Sequence, residues 1–198
     1  MKNKGFTLVE ILLVIAIMAL LSVAATVSMT ATLDRMEFTG VYHNIEDMFF
    51  EARRMALNGK NIENCAGDKI VAAGYGVNVT ESAENADGSV ASPAEFVIFS
   101  DMPGFGNWSY GGGEECADDV TETEYVLPDN FHVDLGPSLV ENFIYLPPDA
   151  THIATDETGG VVTGVVTTMT IESDSYGWQI KFGSSGVPER FGDLKKLP

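Results

Sequence analysis

Cations are scarce in this chain: 11 lysines and arginines stand against 29 aspartates and glutamates, a formal net charge of −18. The shortage is also local. No Lys or Arg occurs from Ile70 through Ile180, while that stretch carries 19 acids. Binding nucleic acid needs clustered cations, so this balance argues against it. Cysteine is rarer still, and two of them, Cys65 and Cys116, make neither a disulfide-framework miniprotein nor an all-cysteine metal cage. Three histidines, His43, His132 and His152, are scattered with no ligand-like companion at close spacing, which argues against a metal or catalytic cluster. No Gly-x-Ser-x-Gly, phosphate loop or dinucleotide fingerprint is present. Aromatics are not lacking: 11 Phe, 6 Tyr and 2 Trp set the chain apart from disordered acidic sequences. At 198 residues it suits one globular domain plus an extension.

The extension comes first. Met1-Lys2-Asn3-Lys4-Gly5 is short and basic, and Phe6 to Val27 follows as a mostly apolar run. A helix of that length reaches about 33 Å, enough to cross a hydrocarbon core. Lysines before the span and acids after it orient Met1 to the cytoplasm and the rest outside. A secretory signal would place its cleavage site after the apolar run, whereas the small residue here, Gly5, precedes it. Glu10 lies near the start of the span. A carboxylate there costs roughly 2.5–3.5 kcal/mol on insertion scales, so it calls for a partner.

These residues carry a resemblance. Lys4-Gly5-Phe6-Thr7-Leu8-Val9-Glu10 before an apolar helix resembles the class III signal of type IV pilins and type II secretion pseudopilins. The resemblance implies cleavage between Gly5 and Phe6 by prepilin peptidase, with methylation of the new Phe6 amine. It implies that Glu10 pairs with that amine on a neighbouring subunit during assembly. It also implies partners: the peptidase, other pilin or pseudopilin subunits, and the inner membrane, crossed once, with the C-terminal domain periplasmic or extracellular.

Beyond the span, Phe38, Val41, Tyr42, Ile45, Met48, Phe49, Ala52, Met55 and Ala56 recur at helical spacing among polar residues, which predicts an amphipathic helix with one core-facing stripe. No proline occurs from Phe6 to Leu57, so one helix can run ~75–80 Å, loosening at Thr26–Thr32 where helix formers are poor. Many pilins have a proline near Val27; this chain does not. Asn58-Gly59 supplies the stop. Strands are predicted at Ile70–Val79, Glu95–Ser100, Glu124–Leu127, Phe131–Leu135, Asn142–Leu146, Val165–Glu172 and Gly177–Phe182, from their β-branched and aromatic content. Thr80–Pro93 reads as a loop or a flexible hairpin tip and Pro103–Asp119 as a loop. The expected class is α+β: a long N-terminal helix, transmembrane half plus amphipathic half, packed on an antiparallel sheet. The resemblance implies the pilin fold, with that antiparallel β-sheet or a β-sandwich-like domain against the helix. The division follows as 1–5 leader, 6–33 transmembrane and filament-core helix, 34–60 amphipathic half and 61–198 β-rich domain.

A finer likeness runs along the chain. Phe50–Gly59, Gly74-Tyr75-Gly76-Val77, Phe96–Asp101, Phe143–Pro147 and the Ile180–Val187 region resemble the minor pseudopilin H and minor pilin T group. The likeness implies a non-enzymatic structural subunit of a type IV pilus or type II secretion filament. The alternative is a binding module at a filament tip, either a DNA-uptake component or a calcium-dependent adhesin. For DNA uptake only Arg190, Lys195 and Lys196 are at hand near the C-terminus, beside Glu189 and Asp193. For calcium, Asp101, Glu114, Glu115, Asp118 and Asp119 offer hard oxygen ligands in one loop, with a solvated acidic face as the alternative. Cys65 and Cys116 precede the first and third strands, whose starts share a sheet end in a meander, so a disulfide is geometrically open to them; two buried thiols are the alternative. Phe105 and Trp108 either contact another subunit or fold back over the sheet.

Overall fold

Fifty-one consecutive residues form one α-helix, α1 (Leu8–Asn58). The structure is a computed structural model that describes residues 7–63, 67–84, 90–103, 108, 110, 119–136, 140–156, 158–162, 167–173, 176–183 and 186–196. The helix does not loosen at Thr26–Thr32 but runs through it. Hydroxyl side chains along it bond back to the helix. Ser22 Oγ donates to the Met18 carbonyl at 2.8 Å, Thr26 Oγ1 to the Ser22 carbonyl at 2.6 Å and Thr39 Oγ1 to the Arg35 carbonyl at 2.8 Å. Each hydroxyl is satisfied one turn back on its own helix, which leaves Ser22 and Thr26 without an unpaired polar group in the apolar run.

By its internal contacts the chain separates into residues 1–40 and 41–198. In the first unit, Leu8–Thr26 is long and apolar enough to cross a membrane, and its side chains lie exposed, among them Leu12, Ile15, Leu20 and Val23.

The second unit begins with the rest of α1 and continues as strands. β1 (Asn61–Glu63) pairs with β2 (Lys69–Val71) in a small hairpin. β3 (Gly74–Thr80), β6 (Glu95–Asp101), β7 (Asp119–Val126), β9 (Asn142–Leu146) and β10 (Thr151–Thr155) form an antiparallel sheet in the order β10-β9-β3-β6-β7. β4 (Ala83–Glu84) and β5 (Val90–Ser92) make a second small hairpin within Thr80–Pro93, the hairpin alternative for that stretch. β8 (Phe131–Asp134), β11 (Thr167–Ser173), β12 (Tyr176–Phe182) and β13 (Pro188–Lys196) form a four-stranded antiparallel sheet in the order β13-β12-β11-β8.

The stripe read from the sequence is buried residue for residue, with Ile45, Phe49, Ala52 and Ala56 at 0% exposure. Both sheets close on it. Tyr42 meets Trp178 of the four-stranded sheet edge-on at 4.7 Å between ring centres. Phe49 meets Phe143 of the five-stranded sheet at 5.3 Å and Phe182 of the other at 4.8 Å, and those two rings lie 4.2 Å apart. This is an α+β, pilin-like layout. The helix stops as a Schellman turn: Gly59 takes φ 57°, Gly59 N donates to the Ala56 carbonyl and Lys60 N to the Met55 carbonyl.

The strand boundaries differ from expectation in definite ways. The stretch Ile70–Val79 is two strands, β2 and β3, because Ala73 N donates instead to the Asp101 carbonyl at 2.8 Å. β7 starts at Asp119, five residues before Glu124. β10 and β13 were not anticipated. Each lies at the end of its sheet, where a polar sequence suffices because only one neighbour must be paired.

Candidate functional site

The residues singled out by the signal-like stretch lie at the helix start. Gly5 and Phe6 lie outside the described residues; Thr7 and Glu10 lie within them. Thr7 precedes the first helical residue and Glu10 falls three positions on, the spacing of a capping box. Glu10 N donates to Thr7 Oγ1 at 3.3 Å, and Thr7 N donates to Glu10 Oε2 at 3.4 Å. Thr7 Oγ1 also lies 3.5 Å from Oε2. Glu10 therefore sits at the positive end of the helix dipole, where a carboxylate costs least. The Thr-x-x-Glu pattern was visible in the sequence, but reading the acid only as a charge within an apolar span left its capping role unnoticed.

A second grouping lies on the outer face of the five-stranded sheet. Gly74 and Gly76 leave space that rings fill. A Cβ on Gly74 would stand 3.2 Å from Trp108 Cζ3, and one on Gly76 would stand 2.6 Å from Phe99 Cζ. Trp108 is held there by Thr155 Oγ1, which donates to its carbonyl at 2.5 Å. Tyr110 packs on Phe99 at 5.5 Å, its N donates to Asn142 Oδ1 at 3.2 Å and its hydroxyl lies 2.9 Å from Thr121 Oγ1. Asn142 also accepts from Asn78 Nδ2 and donates to the Asp156 carbonyl. Trp108 thus folds back over the sheet; Phe105 lies outside the described residues.

The remaining candidates are dispersed. Asp101, fully buried, ends β6 directly across from Asp119, the first residue of β7. Glu114, Glu115 and Asp118, which completed the calcium expectation, lie outside the described residues, as do Cys65 and Cys116. Among the described residues no three His, Cys, Asp or Glu side chains are grouped to hold a metal. His43 is exposed on α1, with Nδ1 3.3 Å from Glu46 Oε2. His132 is on β8. His152 packs between Phe143, Tyr145 and Gly186; burial pushes it down to about 4. Burial also pushes the Tyr145 phenol up, and its hydroxyl donates to the Gly186 carbonyl at 2.6 Å. Lys60 Nζ, Glu122 and Ser100 form a chain of contacts, Lys60 to Glu122 Oε2 at 2.6 Å and Ser100 Oγ to Glu122 Oε1 at 3.0 Å. This triplet ties the end of α1 to the sheet.

Compared with known proteins, residues 1–26 match the family model of the prokaryotic N-terminal methylation motif. That motif is the class III prepilin signal, and it supports the type IV pilin and pseudopilin superfamily. It supports a pilin-type subunit that is processed by prepilin peptidase and assembles with other pilin subunits. No curated protein and no solved structure matches the chain.

Proposed function

We propose that the chain is a non-enzymatic structural subunit, a minor pilin or pseudopilin, of a membrane-anchored type IV pilus or type II secretion filament. The observation that carries this is the class III signal at residues 1–26 together with the uncovered apolar helix Leu8–Thr26. In this reading prepilin peptidase cuts between Gly5 and Phe6 and methylates the Phe6 amine. Gly5 suits the cut because a residue without a side chain lets the protease approach the backbone. Residues 1–5 are then leader and 6–33 the filament core. One inner-membrane crossing leaves the β-domain periplasmic or extracellular. The minor assignment rests on the likeness to the minor pseudopilin H and minor pilin T group. The absence of Lys and Arg from Ile70 through Ile180 supports a subunit that does not bind DNA.

Glu10 does two jobs here. Within one chain its Oε2 caps the helix through Thr7. The cap supplies hydrogen bonds but no opposite charge, and a carboxylate in the membrane is best tolerated beside a cation. The Phe6 amine of a neighbouring subunit provides one. Glutamine separates the two jobs, because it keeps the capping box and loses the charge. Glu10→Gln is expected to be cleaved and methylated normally, yet to fall by at least about tenfold in the sheared filament fraction. Normal incorporation of Glu10→Gln contradicts the pairing and leaves Glu10 a helix cap alone.

A further inference from the structure

We propose that the five-stranded sheet is extended by strand addition, with β13 of a second copy of the chain docking on the outer edge of β7. β7 ends its sheet, and among the described residues β6 is its one strand neighbour, paired from Asp119 to Val126. Thr121, Thr123, Glu124 and Val126 are exposed. An eight-residue edge of this kind presents a row of N–H and C=O groups to any strand that fits.

Charge selects the occupant. β7 contains Asp119, Glu122 and Glu124 and no cation. Glu122 is matched internally by Lys60, whereas Glu124 has another acid beside it. That acid, Glu95, is raised from its ordinary value by its own burial and then by Glu124. Two β7 edges brought together would add acids to this pair, so like-with-like pairing is opposed. The complementary edge is β13, which closes the other sheet and carries Arg190, Lys195 and Lys196 against Glu189 and Asp193. Of the strands that end the two large sheets, β7, β8, β10 and β13, β13 alone carries more cations than acids; β12 carries Lys181 and no acid but lies between β11 and β13. A β7-to-β13 contact joins different surfaces of the two copies and need not close on itself, so it can propagate as an open row. The inference rests on the filament-subunit reading, which supplies the setting in which copies meet in one orientation.

The test uses the full chain in detergent micelles, mixing equal parts of unlabelled and nitrogen-isotope-labelled protein before zero-length carbodiimide cross-linking. Mixed-isotope peptides joining Asp119 or Glu124 to Lys195 or Lys196 are expected. Glu124→Lys should lower the yield of the remaining Asp119 link by about tenfold, since like charges placed together across an interface repel strongly; Lys195→Glu with Lys196→Glu removes the amines that the reagent needs and is read only in the mixture. Mixing the two reversed proteins should restore cross-linking, now between the lysine introduced on β7 and the glutamates introduced on β13, which also shows that both variants fold. Absence of mixed-isotope cross-links in the unaltered chain, an Asp119 yield that survives Glu124→Lys, or a mixture of the two reversed proteins that does not cross-link overturns the proposal. Processing at Gly5 and incorporation of the Glu10 variants do not involve β7. If those hold while the cross-links are absent, strand addition alone falls.

Discussion

Gly76 illustrates how much rests on single residues. It faces Phe99 directly across the β3–β6 pair, and a Cβ there would lie 2.6 Å from Phe99 Cζ and 3.1 Å from Ile144 Cγ1. Gly76→Ala must therefore push the ring or part the strands, and we expect a loss of about 1–3 kcal/mol in urea unfolding. Gly40 is the contrast: nothing lies within 4 Å of its would-be Cβ, so Gly40→Ala should gain roughly 0.5–1 kcal/mol as a helix substitution. Equal effects at the two sites would contradict the packing argument. His152 gives a pH test. Its folded pKa of about 4 lies below its ordinary value of 6.5, so as pH falls the unfolded chain takes the proton first. Its contribution is full above pH 6.5 and is lost as pH falls from 6.5 to about 4, with a slope of at most about 1.4 kcal/mol per pH unit. His152→Phe should flatten the fall of melting temperature over that window. An unchanged pH profile in the variant would show that His152 is solvated.

At the scale of elements, legibility followed how many neighbours an element has. The helical stripe from Phe38 to Ala56 was readable because a helix packed on one side writes its burial as a period of three and four, and every named position is buried. The central strands β3, β6 and β9 were readable because they are apolar on both faces, as their burial shows. The first half of β7, β10 and β13 were not. Their sequences, Asp-Val-Thr-Glu-Thr, Thr-His-Ile-Ala-Thr and Pro-Glu-Arg-Phe-Gly-Asp-Leu-Lys-Lys, lack an apolar run because edge strands answer to one neighbour. At the candidate site, the signal was legible as spacing, while the back-bonding of Thr7 to Glu10 depends on the geometry of the helix start. The element most exposed to a single change is α1. Phe49 touches rings from both sheets, so Phe49→Ala should cost about 3–5 kcal/mol, whereas Phe50→Ala, at 42% exposure, should stay within about 0.5 kcal/mol. Similar losses at both would mean that the stripe does not face the sheets.

For the whole molecule, one chain combines a signal and apolar helix with an acidic β-rich unit whose cations are confined to its two ends of sequence. Neither part explains the other. The acidic unit has the composition of a solvent-facing domain, and the signal implies that the chain is cut, methylated and gathered with its like. The claim on which the account depends is that residues 1–5 are a leader removed on the cytoplasmic side of an apolar helix that stays. The measurement that tests it most directly is the intact mass and N-terminal sequence of the chain purified from membranes of cells with an active prepilin peptidase. The account predicts a chain that begins at N-methylated Phe6, keeps the span Leu8–Thr26, and is left uncut when Gly5 is replaced by valine. A chain that still begins at Met1, or one cut beyond Thr26 with the apolar helix lost, would contradict it.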